Sequence, residues 1–151
     1  MRFESAPQQA CYEKIRPWIQ EIFGDQVEVR DDLPIFIIPR GSAYAAVEVL
    51  PWTEDDAIIC TWSYVVKGAE MKPELLQYLL RKNTEIPFGA FGIDEDGDIL
   101  LEHAIVGSTC DRKELETSAR SIMEMADRYD DEISQLAGGQ RAADRLGIQS
   151  T

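Results

Sequence analysis

Apolar positions recur at helical spacing in three stretches of the chain and at strand spacing between them. Within residues 8–23, Cys11, Ile15, Trp18 and Ile22 recur every three or four residues and share one helical stripe. Pro17 interrupts that segment, because it lacks an N–H and its ring meets the carbonyl four residues back. The spacing therefore predicts a helix kinked at Pro17 or one that begins firmly near Arg16, ended by Gly24-Asp25. Short β candidates follow at residues 27–30 and 35–38, the second bracketed by Pro34 and Pro39, which marks strand ends or an edge. Residues 43–50 and 57–66 read as longer strands joined by a polar, acidic turn at 51–56. In the later strand Ile58, Cys60, Trp62, Tyr64 and Val66 make a large apolar face. The alternate set, Ile59, Thr61, Ser63 and Val65, is mixed and expected to be half-solvated.

Residues 75–106 carry the densest local signals. Pro73 and Glu74 suit the first turn of a helix. Leu75, Leu76, Tyr78, Leu79 and Leu80 then cover an arc of about 200°, wider than the roughly 100° stripe of a one-sided surface helix. Such a helix needs cover on two sides: its own sheet on one and, in a chain this short, a second subunit on the other. After Pro87-Phe88-Gly89, two strands at 88–94 and 98–106 flank Asp96-Gly97, read as a two-residue hairpin turn with both central residues at positive φ. That turn would set Ala90 and Gly92 opposite His103 and Leu101. The last helix opens with Asp111 and Glu114 as an N-terminal capping pair. Its stripe runs through Leu115, Ala119, Ile122, Ala126, Tyr129, Ile133 and Leu136, flanked by Met123 and Met125, and Gly138-Gly139 end it. This organisation implies one domain over 5–138 and a mobile tail over 139–151.

Composition narrows the partners. The 151 residues are 44% hydrophobic and 28% charged, with a formal net charge of −13. A surface that acidic repels phosphate backbones and anionic bilayers, which argues against nucleic acid and membrane partners. Cys11, Cys60 and Cys110 are odd in number and form no C-x-x-C pair, so neither a disulfide framework nor a zinc site is indicated. With no signal-like or membrane-spanning apolar run, the expectation is a cytoplasmic protein.

Candidate chemistry does not survive inspection. An EF-hand with Gly97 at its sixth position would place Gly92 and His103 where the first and last ligands belong, so the Asp94-Glu95-Asp96-Gly97-Asp98 tip reads as a solvated turn. His103, the only histidine, could act with Cys110 near a helix start, yet a strand and turn separate them and no third orienting group follows. Phe88-Gly89-Ala90-Phe91-Gly92 precedes a strand rather than a helix, unlike a phosphate loop. Trp18, Trp52 and Trp62 read as core or interface aromatics. No catalytic, cofactor-binding or metal-binding residue is assigned, and no cofactor is expected.

The order helix, three or four strands, helix, two strands, helix contains Leu79-Leu80, Asn83, Ile86-Pro87-Phe88-Gly89, Phe91-Gly92 and Asp98-Ile99-Leu100-Leu101-Glu102. This arrangement resembles the YbjN family and the wider group with the type III secretion chaperone-like fold. The resemblance implies an α+β domain of α-β-β-β-α-β-β-α type, a twisted antiparallel sheet packed by helices. It also implies homodimers that hold an extended stretch of a client protein without catalytic residues. The expectation is thus a non-enzymatic protein-binding module, chaperone-like or regulatory and homodimeric. Its partner or dimer surface is expected at Leu75, Leu76, Tyr78, Leu79, Leu80, Met123 and Met125. The alternative is a small-molecule-binding domain or enzyme using His103 and Cys110.

Overall fold

Helix α1 (Ala6–Phe23) starts at Ser5, whose hydroxyl accepts the Gln8 N–H, and ends at Gly24, where φ is +75°. The computed structural model describes residues 1–41, 43–138 and 140–141. Pro17 does not interrupt α1: it and Glu13, whose carbonyl loses its helical donor, both lie on the exposed side, where water can take the donor's place. The buried stripe is Gln8, Cys11, Tyr12, Ile15 and Ile19, so Trp18 and Ile22 sit at its margin. Gln8 belongs there because its amide is satisfied, donating to the Val49 carbonyl and accepting the Glu4 N–H.

Four strands precede the second helix: β1 (Glu28–Val29), β2 (Ile35–Arg40), β3 (Ala43–Trp52) and β4 (Asp56–Lys67). Helix α2 (Pro73–Asn83), strands β5 (Ala90–Ile93) and β6 (Ile99–Val106), helix α3 (Arg112–Ala137) and β7 (Gln140–Arg141) complete the order. The strands form one antiparallel sheet in the order β1-β2-β3-β4-β6-β5, with β7 beside the end of β4. The expected α+β, α-β-β-β-α-β-β-α arrangement therefore holds, with β1 as an additional two-residue strand. Pro39 lies inside β2, beyond the reach of β1, where β3 is the only neighbour among the described residues. Gln140 and Arg141, expected in a mobile tail, pair with Lys67 and Val66, while 139 and 142–151 lie outside the described residues.

All three helices pack on one face. Cys11, Ile15 and Ile19 of α1 meet Phe36, Val47 and Ile59 from the sheet and Leu115 and Ala119 from α3. Leu75 and Leu79 of α2 meet Phe91, Ile99 and Leu101 with Ile122, Ala126 and Ile133 of α3. Helix α3 crosses both clusters and is the spine of the core. Asp111 caps it through the Glu114 N–H, as expected, and Gly138 closes it in the left-handed conformation. Its stripe drifts by the last turn, so Ala137 is buried and Leu136 is partly exposed.

Two expectations are corrected. The face of β4 that meets the helices is Ala57, Ile59, Thr61, Ser63 and Val65, not the larger apolar set. Small side chains let α3 approach closely, and the Ser63 hydroxyl is satisfied by the Tyr44 carbonyl; Trp62 and Tyr64 would not fit beneath a helix. The hairpin closes from Asp94 to Asp98 around Glu95-Asp96-Gly97, with only Gly97 at positive φ. Ala90 and Gly92 consequently face Glu102 and Leu100, one residue from the expected register.

Candidate protein-binding face of the sheet

Among the described residues, no helix packs on the second face of the sheet. Cross-strand registers lay its side chains in rows, including Ile37, Ala46, Trp62 and Glu102 in one and Leu50, Ile58 and Val106 in another. Ile35, Glu48, Cys60 and Ala104 form a third, and Tyr64 with Leu100 a fourth. Most of these side chains are only half-buried, shielded by one another, while Trp52 is 55% and Val106 46% exposed. Trp62 and Tyr64 meet edge to face with centroids 5.8 Å apart. Large amphipathic rings held rigidly on strands supply contact area at low entropic cost.

Charges frame this surface. Glu48 and Glu102 flank Cys60, whose thiol is pushed up by burial and then by those two carboxylates. The Tyr64 hydroxyl donates to Asp94 Oδ2 at 2.7 Å, which pushes its phenol up to about 12 and holds the Asp94 carboxyl below its ordinary range. Asp94 Oδ1 also accepts the Asp96 and Asp98 N–H groups, and Asp98 accepts from Gly68 N–H and Lys67 Nζ. The acidic tip, expected to be merely solvated, is stitched to the end of β4 through two of its three aspartates.

Among the residues expected to form a partner surface, Leu75, Leu79 and Met123 are core residues, which removes them from any surface of the single chain. Tyr78 and Met125 are half-buried against the second cluster. Leu76 and Leu80 stand outside, 37% and 68% exposed, one helical turn apart. Among the described residues, the wide apolar arc of α2 is thus covered on one side only.

His103 and Cys110 are not brought together by a hydrogen bond. His103 Nδ1 lies 2.8 Å from Ser118 Oγ, and burial lowers its pKa. The Cys110 thiol donates to the Gly107 carbonyl, and burial raises its pKa, the opposite of an activated nucleophile. Sequence reasoning missed the orientation of Trp62 and Tyr64; the small residues Thr61 and Ser63 that alternate with them were the signal. Asn83, part of the motif that carries the resemblance, ties α2 to β5: its side-chain amide accepts the Phe91 N–H at 2.7 Å and donates to the Phe91 carbonyl at 3.3 Å.

Comparison with known proteins gives a family and a fold. The family model described as "T3SS (YopN, CesT) and YbjN peptide-binding chaperone 1" matches residues 10–145. Among curated proteins, none matches the sequence. The chaperone–effector complex of HopA1 and SchA contains a chain similar over 80% of this one and 94% of its own length, with a TM-score of 0.62 at 10% identity. A chain of the ExsC–ExsE complex is similar over 83% and 94%, with a TM-score of 0.60 at 12% identity. No helix among the described residues is long and apolar enough to cross a membrane.

Proposed function

Because the chain belongs to the T3SS (YopN, CesT) and YbjN peptide-binding chaperone family, we propose that it is a non-enzymatic module that holds an extended segment of a client protein against the helix-free face of its sheet. The observation that carries this reading is the half-open apolar surface of Ile37, Leu50, Ile58, Trp62, Tyr64 and Leu100, which no helix among the described residues covers, whereas the opposite face carries both core clusters. Glu48 and Glu102 within it, and the net charge of −13, favour clients with basic residues between apolar ones. Two structural neighbours are chaperone–effector complexes, which supports a protein rather than a small-molecule partner. Three free cysteines and the acidic surface fit a cytoplasmic setting without nucleic acid or membrane partners.

The test is titration with synthetic peptides that alternate valine and lysine. Trp62→Ala should weaken binding by about tenfold or more, the usual consequence of truncating a central aromatic anchor. Added salt should weaken it further. Unchanged affinity in the variant would remove this face from the proposal.

The module acts as a homodimer through the exposed side of α2, a reading supported by Leu76 and Leu80 standing outside on a helix whose other two leucines are buried. Light scattering after gel filtration should then give twice the 17.1 kDa chain mass. Leu76→Glu with Leu80→Glu should return a folded monomer, since neither side chain supports the core. A clean monomer of the unaltered protein at micromolar concentration rejects the dimer.

A further inference from the structure

We infer that the client segment adds to the sheet as a short antiparallel strand beside His103–Val106 of β6, in line with β5 and between two grooves that flank that free edge. This rests on the peptide-binding reading above and names where the client backbone is held. Strand β6 pairs with β4 from Ile99 to Val106, whereas β5 pairs with it only from Ile99 to Glu102. The outer half of β6 therefore has no strand beside it among the described residues.

The hydrogen-bond phase shows which groups are left. Gly107 N–H donates across to the Ala57 carbonyl at 2.7 Å, and Asp94 N–H donates to the Asp98 carbonyl within the hairpin. Antiparallel bonds alternate sides along a strand, so odd-numbered residues of β6 bond to β4 and even-numbered residues face the β5 side. Ala104 and Val106 thus direct their N–H groups outward past the end of β5. The Val106 carbonyl is claimed by Cys110 N–H, which leaves the Ala104 N–H and carbonyl and the Val106 N–H facing a position that no strand among the described residues fills. Unpaired strand edges are templates for another chain, and proteins ordinarily block them. This one blocks the outer edge of β5 with the Asn83 amide on Phe91, and its opposite edge with β1 and Pro39.

The gap exists because the chain leaves the sheet before β5 begins. Gly89, at φ +121°, turns it toward α3, where the Ser121 hydroxyl holds the Phe88 carbonyl. A groove of about 650 Å³ lies on the helix side of the free edge, with Phe88, His103, Ile105 and Thr117 among its walls. Another of about 490 Å³ lies on the helix-free side, between Cys60, Pro87, Glu102 and Ala104. An added strand would send alternate side chains into the two grooves. Ile105 and Phe88 suit an apolar side chain on the first side, and Glu102 suits a lysine or arginine on the second.

The pairing makes a directional prediction. Side chains opposite Ala104 and Val106 lie on the same face as theirs, the helix-free one, so the lysine N–H groups of the client are the ones that bond to β6. The probe is an acetylated, amidated peptide of alternating valine and lysine added to isotope-labelled full-length protein, with amide signals and exchange followed by NMR. Slowed exchange at the Ala104 and Val106 amides is expected. N-methylation of the lysine amides should weaken binding at least tenfold, and N-methylation of the valine amides should leave it within about twofold. Ala104→Pro, which removes only an outward N–H, should act like lysine methylation; if that variant does not fold, the two methylated peptides still decide. Equal loss with both peptides overturns the strand geometry. Concentration-dependent protection of Ala104 without peptide assigns the edge to a second copy and overturns the inference. Shifts confined to Trp62 and Tyr64 overturn it while leaving the peptide-binding reading intact, and no shift anywhere overturns both.

Discussion

Gly107→Ala should destabilise the protein by about 3 kcal/mol, the upper range for forcing extra volume into a packed interior. A methyl group on this residue would lie 2.7 Å from the Ala57 carbonyl oxygen and 2.8 Å from Cys11 Sγ. The first of these neighbours is backbone, held in place by the Gly107 N–H itself, and cannot rotate away. Three further contacts tighten the same corner. Lys14 Nζ on α1 donates to the carbonyls of Gly107, Ser108 and Cys110, and so ties α1 to the loop that leads into α3. Thermal unfolding should fall by roughly 6–12 °C for a chain of this size. A variant within about 2 °C of the parent protein would show that α1 and this loop can separate without cost.

Ile122→Ala should cost about 4 kcal/mol, within the range for truncating a fully buried aliphatic side chain. Ile122 has no exposed surface, and its Cδ1 would lie 2.7 Å from a methyl at Gly89. It therefore fills the space under the joint where the chain leaves α2 and enters β5. Removing it leaves a cavity that α3, fixed at both ends by other core residues, cannot close. Urea denaturation should show the loss at an unchanged slope, while Ile122→Val should lose only about 1 kcal/mol. If alanine and valine behave alike, α3 does not pack on the sheet as described.

Helices α2 and α3 were legible because their spacing and caps agreed: Asp111 at one end of α3 and Gly138 at the other acted as read. Helix α1 was legible from its spacing but not in its Ser5 cap or its passage through Pro17. Strand existence was equally legible, but strand facing was not. Alternation says that two faces differ without saying which one meets a helix, and in β4 the small polar face does. That reversal hid the candidate site, because the alternate set of Ile59, Thr61, Ser63 and Val65 was expected to be the half-solvated one. The hairpin register slipped by one for a related reason: Asp94 closes a three-residue loop with its own side chain, which an Asp-Gly pair alone does not reveal. Two of the five α2 residues expected at a partner surface, Leu75 and Leu79, went into the core, since periodicity gives the width of an apolar arc and not the part that its own chain covers. The gap beside β6 depends on where β5 begins, a long-range property with no local signature.

Cys60 gives the helix-free face a chemical reporter of its own. Cys11 and Cys110 are buried, whereas Cys60 is half-exposed between Glu48 and Glu102 and lines the groove at the β6 edge. Because its thiolate is disfavoured, alkylation is slow near neutrality and quickens as pH rises. A client on this face would shield that one sulfur, so occupancy can be read from the unaltered protein as a slowed labelling rate, without an introduced probe.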